Sequence, residues 1–223
     1  RISLSNNDSG TSNTVFGKLA GDDLASGGNY NSLFGESAGH AITTGDDNVA
    51  VGYQSMLNAT TGTDTVAIGK LAIGSGVLTG ANNIAIGEGA GFDLTAGSYN
   101  ILLGLRAGAN ITTANKNIFI GQDSGLNVTV TNSGGSDGTV GIGHDALKAL
   151  TSGASNTAVG FSAMLNSTTA DGNVAIGREA IGSGVSTGDN NIVIGKSSGF
   201  ALTSGHSNTI LGNSAGSSLT SGG

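Results

Sequence analysis

The chain has 223 residues, of which 41 are Gly, only 10% are charged and none is Pro, Cys or Trp, and its formal net charge is −7. The lack of Cys excludes disulfides and thiolate metal sites, and the eight scattered Lys and Arg argue against a nucleic-acid surface, which needs clustered cations. Gly without Pro or a three-residue period excludes collagen, and no apolar run reaches the roughly 18 residues of a membrane helix.

One short motif, N-x-x-apolar-Gly, recurs along the whole chain. Its copies lie 17 or 18 residues apart, with one spacing of 22. Among the regular spacings every third is 18 residues and the other two are 17, so three rungs form a unit of 52 residues. A period of this length is typical of solenoids. Positions are counted below from the last residue of each copy, the anchor glycine: Gly17, Gly35, Gly52, Gly69, Gly87, Gly104, Gly121, Gly143, Gly160, Gly177, Gly195 and Gly212.

The three residues before each anchor glycine form the first predicted element of every rung, a short strand. Position −1 is always apolar and position −3 usually is, and both lie on one face because side chains alternate along a strand. Position −2, which includes Ala158 and Ala175, is apolar as well, whereas a face in water should be polar. We expect positions −1 and −3 to fill the coil, and the face with Ala158 and Ala175 to be covered by a second chain.

Asn begins the predicted strand, at position −4, in ten of the twelve rungs. Thr65 and Thr139 occupy the other two places. Asn side chains stacked in this way can hydrogen-bond along the stack. The predicted structural ladder consists of Asn13, Asn31, Asn48, Asn83, Asn100, Asn117, Asn156, Asn173, Asn191 and Asn208.

The rest of each rung predicts a tight bend, a second short strand and a turn. Position +3 is Ala or Ser in every copy, which indicates a bend packed against a neighbour. The second strand is expected where segments such as "ITTG" at Ile42 and "VSTG" at Val185 occur. Gly occupies position −7 in nine copies, Gly45 and Gly62 among them, and is expected to supply a positive φ at the turn.

These elements together predict an all-β protein, a parallel β-solenoid or β-roll of about 12 rungs of 17–18 residues. Recurrent Gly and β-branched residues exclude helices. We expect residues 13–223 to form a single continuous repeat domain, with an insertion near 126–138 and a partial rung over 1–12. The chain begins at Arg1, which suggests a fragment or a processed product.

Two stretches carry a resemblance to known families. "NTAVGFSAMLNSTTADGN" resembles the 17-residue repeat of phage tail-fibre-like proteins, and "NVAIGREAIGSG" is similar to the β-roll head of trimeric autotransporter adhesins. The resemblance covers the chain from about Asn13 onward. It implies a left-handed coil, a homotrimer packed along a common axis, and a location outside the cell, on a virion tail fibre or a bacterial cell surface.

Several residue patterns have the composition of catalytic or metal sites. "G-x-x-A-G" recurs in many rungs without a following helix, which indicates a turn and not a phosphate loop. The three histidines, His40, His144 and His206, fall in different columns. Asp side chains next to Gly are ordinary in turns, although a carboxylate column could bind a hard cation; the column holds Asp46, Asp137, Asp171 and Asp189, with Asp47 and Asp64 beside it. We expect no catalytic residue, no metal and no cofactor.

Two columns could form a ligand surface. A ladder of Thr, with Thr43, Thr60, Thr95 and Thr112 in the first half, is expected to face outward and could bind ice. Tyr53 and Phe161 follow anchor glycines in rungs related by a 108-residue duplication, and could stack on sugars or pack between protomers, as could Phe92 and Phe200.

The sequence therefore predicts a non-enzymatic structural fibre segment that acts as a rigid spacer and possible adhesive surface. Its expected partners are copies of itself and a host-surface glycan or protein, with no nucleic acid and no membrane insertion in this segment. The alternatives are a glycan- or matrix-binding adhesin head and an ice-binding β-solenoid.

Overall fold

The computed structural model describes residues 10–128 and 137–222. The chain divides into two compact units, Arg1–Thr113 and Ala114–Gly223. Most of the expected partial rung over residues 1–12, and the centre of the expected insertion, lie outside the described residues. The expectation of a single continuous domain stays a prediction.

Each unit contains six strands of three residues. The first unit has β1 (Thr14–Phe16), β2 (Ser32–Phe34), β3 (Val49–Val51), β4 (Val66–Ile68), β5 (Ile84–Ile86) and β6 (Ile101–Leu103). The second has β7 (Ile118–Ile120), β8 (Val140–Ile142), β9 (Thr157–Val159), β10 (Val174–Ile176), β11 (Ile192–Ile194) and β12 (Thr209–Leu211).

Within each unit every strand pairs in parallel with the next strand along the chain. Position −2 of one rung pairs with position −2 of the next, as Ala158 does with Ala175. The 22-residue spacing does not break this register, because Ile118 pairs with Val140. The all-β parallel solenoid and all twelve strand positions are thereby confirmed.

The expected second strand of the rung is not a strand. The segments around Ile42 and Thr95 are bends, and no described residue outside β1–β12 is in a strand. Successive bends are nevertheless joined by backbone hydrogen bonds, such as the N–H of Thr43 to the carbonyl of Thr60 at 3.0 Å. A further correction concerns Val185, which is exposed while Ser186 is buried, because the extra residue of an 18-residue rung shifts this segment.

The two faces of the strand are the reverse of the expectation. Position −2 lines the interior: Ala158, Ala175 and Leu102 are all 0% exposed. Positions −3 and −1 face outward, so that Ile192 and Ile194 are 43% and 38% exposed. The prediction that Ala158 and Ala175 lie under a second chain is therefore wrong, and the uncovered apolar residues are the larger ones on either side.

The interior is filled by positions −2 and +4 and by position +7, where Ile42, Leu94 and Leu150 are all 0% exposed. Positions −2 and +4 constrain each other in size. Where position −2 is large, position +4 is Gly: a Cβ added to Gly108 would lie 2.7 Å from Cδ2 of Leu102. In four of the five rungs where position −2 is Ala, a large side chain takes the space, as Met164 does beside Ala158, and both are fully buried. The fifth rung has Ala85 and Gly91, and there a Cβ added to Gly91 would lie 2.8 Å from Cδ1 of Leu102 in the next rung. Interiors are close-packed, so each rung has room for one large residue at these two places.

Glycine serves two different purposes in a rung. All twelve anchor glycines have a positive φ, between 120° and 146°. The glycines at position −7 do not, so the expectation of a positive φ there is wrong. They are needed because the backbones approach closely: a Cβ on Gly62 would lie 2.9 Å from the carbonyl oxygen of Gly80. The positive φ occurs at position −5 instead, for example 57° at Asp47.

Candidate functional site

The Asn column at position −4 forms a buried hydrogen-bonded stack. The N–H and the Nδ2 of Asn191 both donate to Oδ1 of Asn173, at 2.8 and 3.0 Å. Nδ2 of Asn191 also donates to the carbonyl of Gly205 in the following rung, at 2.8 Å. Asn208 repeats the first two bonds with Oδ1 of Asn191. Each amide thus joins three rungs, and its role is structural.

The carboxylates of the acidic column bind backbone N–H groups of the preceding rung. Oδ1 of Asp46 accepts from Asn29 N at 2.7 Å, and Oδ1 of Asp189 accepts from Asp171 N at 2.8 Å. At the same position His206 accepts the N–H of Asp189 through Nδ1, at 3.0 Å. Over residues 10–128 and 137–222 no group of three or more His, Asp or Glu side chains could hold a metal ion.

The Thr ladder is half-buried, and its hydroxyl groups are used within the solenoid. Thr43 Oγ1 donates to the carbonyl of Thr60 at 3.1 Å, and Thr95 Oγ1 donates to that of Thr112 at 2.9 Å. A hydroxyl group has one proton, so a Thr hydroxyl that donates to a carbonyl of the same chain cannot also donate to an external acceptor. This column therefore offers less hydrogen bonding to ice than a row of free hydroxyls would.

The two candidate aromatic residues at position +1 have different surroundings. Tyr53 is 47% exposed and Phe161 is 49% exposed. The Phe161 ring is stacked with the His144 imidazole, with centroids 5.2 Å apart, and the Arg178 guanidinium carbon lies 5.8 Å from its centroid. His144 and Arg178 are at position +1 of the two adjacent rungs, so both faces of Phe161 are engaged. Tyr53 is the better candidate for stacking on an external ring.

An ion-pair cluster in the second unit was not predicted from the sequence, because Asp123 lies 22 residues before the neighbouring pair Asp145 and Lys148. Lys148 Nζ lies 3.0 Å from Oδ1 of Asp145 and 3.5 Å from Oδ2 of Asp123. The hydrogen bond to Asp145 is the main cause that raises the pKa of Lys148 above its usual value. The cluster joins two neighbouring rungs on the outside of the bend, and the repeat alignment, which puts both Asp at position +2, could have revealed it.

The remaining candidates do not converge. His40 lies 3.9 Å from Asp22, His144 beside Phe161, and His206 beside Asp189. No helix in the described part of the chain is long and apolar enough to cross a membrane. No protein-family model, no curated protein and no solved structure matches this chain.

Proposed function

We propose that this chain is a non-enzymatic structural segment of an extracellular fibre, of the phage tail-fibre or bacterial surface type, which acts as a rigid spacer and associates with further copies of itself, as a homotrimer. One observation carries the proposal: each described rung repeats the same interrung hydrogen bonds, while the reactive side chains stay apart or serve that bonding. Such construction favours stiffness, and it engages the reactive side chains of the described residues in bonds between rungs.

A spacer outside the cell has to resist proteolysis. We expect the buried Asn stack to contribute to this resistance, because its hydrogen bonds hold neighbouring rungs together. Asn191→Ala removes the acceptor of Asn208 N and the donor to the Gly205 carbonyl, and leaves a buried carbonyl and a half-buried N–H unpaired. Each such group costs about 1–3 kcal/mol, so the opened population should rise at least about tenfold. We expect proteinase K to degrade this variant about tenfold faster than the native protein under folding conditions.

Asn213→Ala is the matched control, because Asn213 is exposed at position +1. It should be degraded at the native rate. Rapid digestion of the unaltered protein through both units would contradict the spacer role, whatever its state of association.

Adhesion is the second candidate, and the exposure of the Tyr53 ring favours it. Exposed aromatic rings that repeat on a fibre can bind weakly at each site and strongly by avidity. A glycan array with the native protein and with Tyr53→Ala tests this. Phe161→Ala is the control, since His144 and Arg178 occupy the faces of that ring. Binding that survives Tyr53→Ala would exclude this surface.

A further inference from the structure

The outward face of β1–β6 is uncharged and, apart from Thr14 and Ser32 at position −3, apolar. At position −1, Phe16 and Phe34 are 58% and 39% exposed, and Ile68 and Ile86 are 37% and 39% exposed. These residues lie on strands of one parallel sheet and form a contiguous surface. Monomeric soluble proteins seldom expose large contiguous apolar patches, so the face is a candidate for association.

Two columns border this face, and both carry charges. Position +1 lies beyond the end of each strand and holds Lys18, Glu36, Tyr53, Lys70, Glu88 and Leu105. Position −5 lies before its beginning and holds Ser12, Tyr30, Asp47, Asp64, Asn82 and Tyr99. If copies are arranged by rotation about an axis parallel to the stack, with this face inward, the strands of all copies run the same way around the axis. Position +1 of one copy then meets position −5 of the next.

The charges in these columns favour one alignment of the copies over the two alignments that are shifted by one rung. When rungs of equal number lie side by side, Lys70 faces Asp64, Leu105 faces Tyr99, and no like charges meet. A shift of one rung in one direction puts Glu36 against Asp47. A shift in the other direction puts Glu88 against Asp64 and Lys70 against Asp47, so that its one repulsive pair offsets its one attractive pair. Like charges at an interface suppress a wrong pairing, and opposite charges fix the register.

We propose that the outer face of β1–β6 binds further copies of this chain around an axis parallel to the stack, with rungs of equal number side by side and Lys70 of one copy paired with Asp64 of the next. The proposal rests on the fibre function and names its partner and register. Lys70 already lies 2.9 Å from Glu88 of its own chain. Both Lys70 and Asp64 are exposed, so Lys70 can bridge the two carboxylates.

The test is sedimentation of the full chain at low ionic strength, comparing Asp64→Lys with Asp47→Lys. The two Asp are matched: both are exposed at position −5 of adjacent rungs, with φ of 52° and 57°. Lys116 occupies the same column with φ of 59°, which shows that the position accommodates Lys.

Asp64→Lys should weaken association on the order of tenfold, because it places Lys against Lys70 in every contact. Asp47→Lys faces Tyr53 and should leave association unchanged. Lys70→Glu added to Asp64→Lys should restore it.

The other outcomes overturn the proposal. Weaker association of Asp47→Lys alone, or tighter association of either single variant, would show a register shifted by one rung. Equal behaviour of both variants would exclude the Lys70–Asp64 contact, and a native protein that stays monomeric at all concentrations would exclude the surface. A monomer that still resists proteinase K would leave the spacer function standing, and an associated protein that is rapidly digested would reject that function and keep the surface.

Discussion

The asparagine side chain at position −4 satisfies both an N–H and a carbonyl of the following rung, whereas the shorter Thr65 only reaches the N–H of Asn83, at 3.5 Å. Oδ1 of Asn156 accepts the N–H of Asn173 at 2.9 Å while Nδ2 donates to the carbonyl of Ala170 at 2.7 Å. Thr139 interrupts this pattern. Its Oγ1 is buried without a hydrogen-bond partner in the described part of the chain. A shorter side chain at this position therefore leaves polar groups unpaired.

Thr139→Asn should stabilise the protein. The amide can accept from the N–H of Asn156 and donate to the carbonyl of Gly153, in the geometry that Asn156 has with the next rung. We expect a gain on the order of 1 kcal/mol in the free energy of unfolding, measured by urea denaturation. Thr65→Asn is the control and should gain less, because Thr65 Oγ1 already donates to the carbonyl of Thr63 at 3.0 Å. A gain at residue 65 that equals or exceeds the gain at residue 139 would contradict this reasoning.

Residue types alone predicted the ladder column but not the purpose of each glycine. The anchor glycines and Gly62 look alike in the sequence, since Gly recurs at the anchor of every rung and at position −7 in nine of the twelve. A glycine can supply a positive φ or make room for another backbone, and only the second applies at Gly62. Positive φ at position −5 is adopted by Tyr99 and Lys116, residue types that give no signal of it.

At the scale of the element, every described rung except the one with Ala85 and Gly91 combines one larger inward side chain at positions −2 and +4 with a small one. Leu102 is paired with Gly108 and Phe119 with Gly125, whereas Ala158 is paired with Met164. The recurring N-x-x-apolar-Gly motif located the strands but could not say which face was inside, because both faces are apolar. The inverse relation between positions −2 and +4 does decide it, since only side chains that share a space constrain each other's volume.

Ala158 and Met164 should therefore tolerate a change in side-chain size only when both are changed together. Ala158→Leu overfills the interior against Met164 and should cost about 1–3 kcal/mol. Met164→Gly leaves a cavity and should cost at least as much. The double variant reproduces Leu102 and Gly108, and Gly also suits the φ of 52° at residue 164. We expect it to recover about 1 kcal/mol or more relative to the sum of the single costs, measured by thermal or urea unfolding. Additive costs would mean that the two side chains do not share a space.

At the scale of the whole molecule, the recurring period means that stability is local. Every described strand pairs with its predecessor and successor within its unit, so a rung interacts mainly with its two neighbours. The effect of a deletion on stability should then depend on whether it removes a whole number of rungs, which keeps the phase of the repeat, and not on how many residues it removes. Residues 53–69 make up one full period from the residue after Gly52 to Gly69, and their removal joins Ala50 to Ile73 as an interior pair of suitable sizes.

Deletion of residues 53–69 should leave a folded protein, although it removes β4 entirely. Asn48 would then lie beside Asn83 in the ladder and Gly45 beside Gly80, so every column continues. Deletion of only residues 53–61, about half a rung, should be far more damaging because it places bends against strands. A third variant, deletion of residues 36–52, keeps the phase but joins Leu33 to Met56, two large interior residues, and should unfold at a lower temperature than the first. Circular dichroism during heating measures all three. Equal melting of the two full-rung deletions would contradict the size rule, and a folded half-rung deletion would contradict the dependence on phase.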